Sequence, residues 1–105
     1  MVFKSVQEKL VGTSSTTILT GDGDAGNYLV YLYARLTAAA TVTSTVTWTD
    51  VTGSQVDTIM NGAYPAGSFG LAPIYVNAAA AGNVAIASIS DTANAIWISA
   101  SIKRL

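Results

Sequence analysis

The sequence has no cysteine and no histidine. Without cysteine neither a disulfide framework nor a thiolate zinc site is possible, which fits a reducing assembly compartment. Without histidine the commonest general base and the commonest metal ligand are missing together, so Ser-His-Asp and Cys-His triads are excluded. Charge is scarce as well: 10% of residues are Asp, Glu, Lys or Arg, against roughly 25% in an average soluble domain. The five cations and six anions sum to −1, which offers no footprint for a phosphate backbone, so nucleic acid is not an expected partner. No apolar run approaches the roughly 18 residues of a membrane helix, and the opening Met1-Val-Phe-Lys-Ser is not followed by the apolar core of a signal peptide. The expectation is a chain that is cytosolic at synthesis, with no membrane partner.

What is present is a chain of 105 residues, half of them hydrophobic and rich in Ala, Thr, Ser and Gly. That length suits one domain, burying roughly 65% of its unfolded surface. An apolar chain with so few charges points to surface that copies of itself cover. The alternative is a small-residue β-sandwich solvated by Thr and Ser hydroxyls.

The clearest periodicity lies in residues 27–49. Tyr28, Val30, Leu32, Ala34 and Leu36 alternate with Leu29, Tyr31, Tyr33 and Arg35, and Val42, Val46 and Trp48 alternate with Thr41, Thr43, Thr45, Thr47 and Thr49. Period two with β-branched and aromatic residues predicts two strands. The link Ala38-Ala39-Ala40 lacks the Asn-Gly signature of a tight hairpin, which predicts a looser turn.

Elsewhere, residues 2–11 suit an extended arm or edge strand lying against a partner, with a short helix as the alternative because the apolar spacing is ambiguous. Strands are expected at 16–20, 54–60, 74–77, 83–90 and 95–104, and turns at 21–26 and at Asn61-Gly62. Residues 63–73 carry both prolines with Gly67 and Gly70 and read as a long, shaped loop. The Ile set of the last two strands is expected in the core. The sum is an all-β, antiparallel sandwich of jelly-roll or Greek-key kind with about eight strands, divided into an arm at 1–15 and a domain at 16–105.

Catalytic equipment is sparse. Residues 66–70, AGSFG, hold a serine between glycines but lack the first glycine of a nucleophile elbow, and no base serves it. Asp22, Asp24 and Asn27 offer oxygen ligands for calcium, yet Gly26 and Tyr33 fall where an EF-hand needs ligands; a turn stabilised by its own Asp side chains is the simpler reading. The other acids are Glu8, Asp50, Asp57 and Asp91, on arms, turns and strand edges. The chain is read as non-enzymatic, with no cofactor and no metal. Tyr64 and Phe69, in the 63–73 loop, are the aromatics placed to pack there or to touch a partner.

The succession GNYLVYLYARLT, TVTWTD, APIYVNA, an Ala/Gly turn and AIWISASIKRL, within residues 16–105, resembles a recurrent small β-sandwich of tailed-bacteriophage structural proteins. The resemblance implies a jelly-roll module that trimerises, found as a capsid decoration or head-fibre protein or as a tail-fibre tip. Fibre versions often end a longer chain, whereas this one opens at Met1 with a short polar arm, which favours a decoration (cement) protein of the virion. Its partners would be two further copies and the major capsid protein. Tyr31, Tyr33, Ile86, Ile89, Ile98 and Ile102 are then expected in core and trimer contacts, and Phe3, Val6, Tyr64 and Phe69 against the shell. The rival is a receptor-binding tail module, with Tyr64, Phe69 and the 21–26 loop against a host-surface glycan.

Overall fold

The computed structural model describes residues 3–80 and 83–105; the parts of the expected arm and of the Ala/Gly turn at 1–2 and 81–82 lie outside them. Nine strands follow in order: β1 (Phe3–Lys9), β2 (Thr16–Thr20), β3 (Gly26–Leu36), β4 (Ala40–Asp50), β5 (Gly53–Tyr64), β6 (Gly67–Gly70), β7 (Ile74–Ala78), β8 (Ala85–Ser90) and β9 (Ile96–Arg104). They form two sheets. In the first the order is β1-β9-β3, with β6 and β7 both against the far side of β3; in the second it is β2-β8-β4-β5. Every pairing is antiparallel. All connections cross between the sheets except β4–β5 and β6–β7, which is jelly-roll connectivity.

The alternation legible in the sequence builds the core. Tyr28, Val30, Leu32, Ala34 and Leu36 of β3 and Ile96, Ile98, Ala100 and Ile102 of β9 point inward, onto Val42 and Val46 of β4, Met60 of β5 and Ile86 of β8. Each buried Val, Leu or Ile contributes about 1.5–3 kcal/mol relative to exposure. The polar atoms inside are paired: the Ser44 and Ser88 hydroxyls share a 2.7 Å bond between β4 and β8, and the Ser90 hydroxyl donates to the Thr92 carbonyl at 3.0 Å.

Several expectations change. β3 and β4 are not neighbours in one sheet; the 37–39 link carries the chain across, so that the β3 stripe and the Val42/Val46 stripe face each other through the core. The 37–39 link lacks the signature of a tight hairpin, and crossing lets the apolar stripes of both strands bury each other. Residues 3–9 take the expected edge-strand form and not the helical one, but on their own sheet: β1 is the edge strand beside β9 and pairs with it along its whole length, so the division at residue 15 does not separate this segment from the sandwich. Period two wins there because it half-buries one side of β1 and leaves Phe3, Ser5 and Gln7 outside.

The expected Asn61-Gly62 turn is continuous strand, where Gly62 adopts φ +142°, a value open chiefly to glycine. The expected 63–73 loop contains β6, which pairs with residues 33–36 of β3 while β7 pairs with residues 26–30. Leu71-Ala-Pro73 separates these two short strands, since proline cannot continue the ladder. This is why nine strands replace about eight.

Candidate functional site

The second stripe of β3 faces away from the core, and strand register shows what lies beside it. Across the first sheet, Tyr75, Leu29, Lys103 and Phe3 form one row; Tyr31, Ser101 and Ser5 the next; Gly70, Tyr33, Ser99 and Gln7 the third; Ser68, Arg35, Trp97 and Lys9 the last. Five aromatic side chains thus share one outer face, with exposures of 37% (Tyr31), 43% (Tyr33), 40% (Trp97), 57% (Phe3) and 59% (Tyr75). Along the sheet Tyr75, Tyr31, Tyr33 and Trp97 run diagonally across three strands, spanning roughly 20 Å at about 3.4 Å per residue. Arg35 is steadied by donating from Nη1 to the Ser68 hydroxyl at 2.8 Å. The face mixes these rings and Leu29 with Lys9, Arg35, Lys103 and small polar residues, and paired strands hold the rings in place, a composition suited to contact.

The outer face of the second sheet is different. Thr41, Thr43, Thr45, Thr47 and Thr49 of β4 alternate outward from the buried Val42, Ser44 and Val46, beside Ala85, Ala87 and Ile89 of β8 and Val56 of β5. Two open depressions mark this side. One, of ≈ 360 Å³, lies at Thr47, Thr49, Gln55 and Val56; the other, of ≈ 280 Å³, lies at Thr41, Thr43, Ile89 and Asp91.

The structure sorts the expected contact residues. Ile86, Ile98 and Ile102 are fully buried core, so they hold the fold together and present nothing to a partner. Tyr31 and Tyr33 are on the aromatic face. Ile89 leaves the core, 39% exposed on the threonine side, because an odd separation from Ile86 reverses its direction in a strand. Phe3 is exposed on the aromatic face, whereas Val6 points to the inner side of β1 and packs against the core. Tyr64 and Phe69 also pack against the core, with their rings edge to face at 5.4 Å. Of the two uses expected, packing or partner contact, the rings show packing, and they do so from strands and not from a loop, because β5 and β6 draw both into the sandwich.

The glycan site expected from Tyr64, Phe69 and the 21–26 loop is not assembled. β6 pairs with the Leu36 end of β3 and the loop joins the Gly26 end, roughly 30 Å away at strand rise. The 21–26 loop is tied to its surroundings: Lys4 pairs with Asp22 and donates to the Thr20 carbonyl at 3.1 Å, the Tyr28 hydroxyl donates to the Asp24 carbonyl at 2.6 Å, and Arg104 donates to the Ala25 carbonyl at 2.8 Å. Among the described residues no three Asp, Glu, His or Cys side chains converge as a metal site.

The other acids serve turns. Asp50 accepts from the Thr52 hydroxyl and amide and from Gln55, and these bonds, the Thr52 hydroxyl first, hold its carboxyl below the usual range. Asp91 accepts from the Thr41 amide at 2.8 Å and the Thr92 hydroxyl at 3.0 Å and is likewise held low, chiefly by the Thr41 amide. Hydrogen bonds to the charged form do this, and the direction is opposite to that of a general acid near neutral pH. The two sit at opposite ends of β4, roughly 30 Å apart by strand rise, whereas a glycosidase pair needs about 5–9.5 Å.

Sequence reasoning joined Tyr31 with Tyr33 but not with Trp97, Tyr75 and Phe3, although the strand alternation placed Trp97 opposite the Ile stripe. Only the pairing of β3 with β9 and β7 makes them one surface. No protein-family model, curated protein or solved structure matches this chain.

Proposed function

We propose that this chain is a non-catalytic structural protein of a phage virion, a capsid decoration subunit that acts as a homotrimer and stabilises the shell through contact area. One observation carries the self-association: a sandwich with 10% charged residues leaves five aromatic side chains on one outer sheet face. Aromatic residues are the favoured anchors of interfaces. The virion and capsid assignments rest on the resemblance of the segments quoted above and are supported by the jelly-roll strand order. The major capsid protein is the partner, and many modest contacts on a repeating lattice add through multivalency.

Cosedimentation with purified shells of the cognate phage tests the assignment, with a glycan array run beside it. Saturable binding to shells and none to sugars is expected. Sugar binding without shell binding would replace the decoration role with that of a receptor-binding tail module.

A further inference from the structure

A sandwich has sheet edges as well as faces, and most of the edges here are blunted. β6 and β7, on the far side of β3, are 4 and 5 residues long and are separated by Leu71-Ala-Pro73. β2 is 5 residues long, with a register break between Thr17 and Leu19, and β1 carries Lys4, Glu8 and Lys9. Short strands, proline, bulges and charges all keep an edge from pairing with another chain. The remaining edge is β5, at 12 residues the longest of the described strands. It has no proline and no lysine, and its one charge is Asp57.

The direction of β4 fixes which backbone groups of β5 are open. The Thr41 amide donates to the Asp91 carboxylate, its carbonyl accepts from the Asp91 amide, and the Thr49 carbonyl accepts from the Ala79 amide at 2.9 Å. Odd-numbered residues of β4 thus turn their backbone away from β5, and even-numbered ones turn toward it. Val46, Trp48 and Asp50 therefore bond to Asp57, Gln55 and Gly53, while Ser54 and Val56, opposite Thr49 and Thr47, send their amides and carbonyls off the open side. Further along, the edge closes. The ladder is bulged between Thr58 and Met60, and the Asn61 amide is taken by the Tyr64 hydroxyl at 3.2 Å. Among the described residues nothing pairs with the open side of Ser54 and Val56. Asp50 steadies this end of the hairpin by accepting from Thr52 and Gln55. Val56 is 65% exposed, and the ≈ 360 Å³ depression at Thr47, Thr49, Gln55 and Val56 opens beside it.

We infer that the open half of the β5 edge, at Ser54 and Val56, takes an extended segment of the shell protein as an added strand. This deepens the decoration role proposed above and rests on it. Backbone groups are matched by backbone groups, so the segment is defined by its conformation: extended, free of proline where it meets Ser54 and Val56, with an apolar side chain set beside Val56 and the depression. A second copy could enter only with its own β5, since the other edges are blunted. A contact of one edge with itself is twofold, whereas the trimer proposed above is cyclic and uses the ring-bearing face of the other sheet. Each trimer then offers the shell three such edges, and weak contacts repeated on a lattice add through multivalency.

Proline at the edge tests this. Val56→Pro removes the outward amide without breaking a bond to β4, and an edge strand tolerates the ring; Val56→Thr keeps the amide and the branched shape. In cosedimentation with purified shells of the cognate phage, Val56→Pro is expected to bind at least about tenfold more weakly than wild type and Val56→Thr within about threefold, with light scattering showing the same mass for all three. Hydrogen exchange on wild type is the second readout, and it stands even if Val56→Pro gives no cooperative melt: the Ser54 and Val56 amides are expected to exchange freely in solution and at least about tenfold more slowly on shells. A folded Val56→Pro that binds like wild type, equal losses in the two variants, or unprotected amides on shells would overturn the edge contact and leave the decoration role standing. A wild-type assembly larger than three copies that Val56→Pro reduces to three would make the occupant another copy and overturn the shell segment. Wild type that does not bind shells overturns both readings.

Discussion

Tyr31, Tyr33 and Trp97 face outward from one sheet with the same alternation by which Thr43, Thr45 and Thr47 face outward from the other. Strand geometry is common to both faces, and the difference lies in what water does with the side chains. A threonine offers a hydroxyl to solvent and a methyl to its neighbour, so the β4 face is stable when wet. Rings and Leu29 offer mostly carbon, so the β3 face gains about 25 cal/mol for each Å² of apolar surface that a partner covers. One face of this sandwich is thus suited to water, and the other would gain from contact.

The sharpest way to break the comparison is within β9, where inward and outward residues alternate. Ile98→Ala empties a fully buried position and is expected to cost about 2–5 kcal/mol of folding stability. Trp97→Thr, one residue away on the ring face, is expected to cost less than half of that in a urea melt of dilute protein, while weakening self-association by about 2 kcal/mol or more, as interface anchors do. Equal losses of folding stability at the two positions would mean that the outer ring acts as core.

Inside the threonine-bearing sheet, Ser44→Ala leaves the buried Ser88 hydroxyl without its 2.7 Å partner and is expected to cost about 1–3 kcal/mol. Replacing both serines by alanine should recover part of that loss in the same melts, because no orphaned hydroxyl remains. A double variant no more stable than the single one would show that the bond is not what Ser44 contributes.

The smallest expected effect concerns pH. Asp50 and Asp91 have folded-state pKa values below the unfolded one, so their contribution is fully present above an unfolded Asp pKa of about 3.9 and is lost as pH falls through the folded values. Urea midpoints should therefore be flat from neutrality to about pH 5 and decline below about pH 4. Asp91→Asn should make that decline shallower. A midpoint that rises on acidification would reverse the assigned sign.

Much of the fold was legible in the sequence because period two is a local property: the stripes 28–36, 42–46 and 96–102 lie where the alternation put them. The layering was less legible. Whether β4 lies beside β3 or across the core depends on partners dozens of residues away, and no pattern in the Ala38-Ala39-Ala40 link states it. Tyr64 and Phe69 were misplaced because glycine and proline mark irregular backbone without excluding a short strand between them, as β6 shows. Tyr31 and Tyr33 were expected as contact residues, but the full outer face needed the β9 and β7 registers.

The central claim is that the ring-bearing face is covered by another copy of the chain, and sedimentation equilibrium of wild type beside Tyr33→Thr/Trp97→Thr tests it most directly. The account predicts a wild-type mass three times the 10.8 kDa of one chain, falling to the single-chain mass in a variant that still unfolds cooperatively. A single-chain mass for wild type, or an oligomer that the double substitution leaves intact, would contradict it.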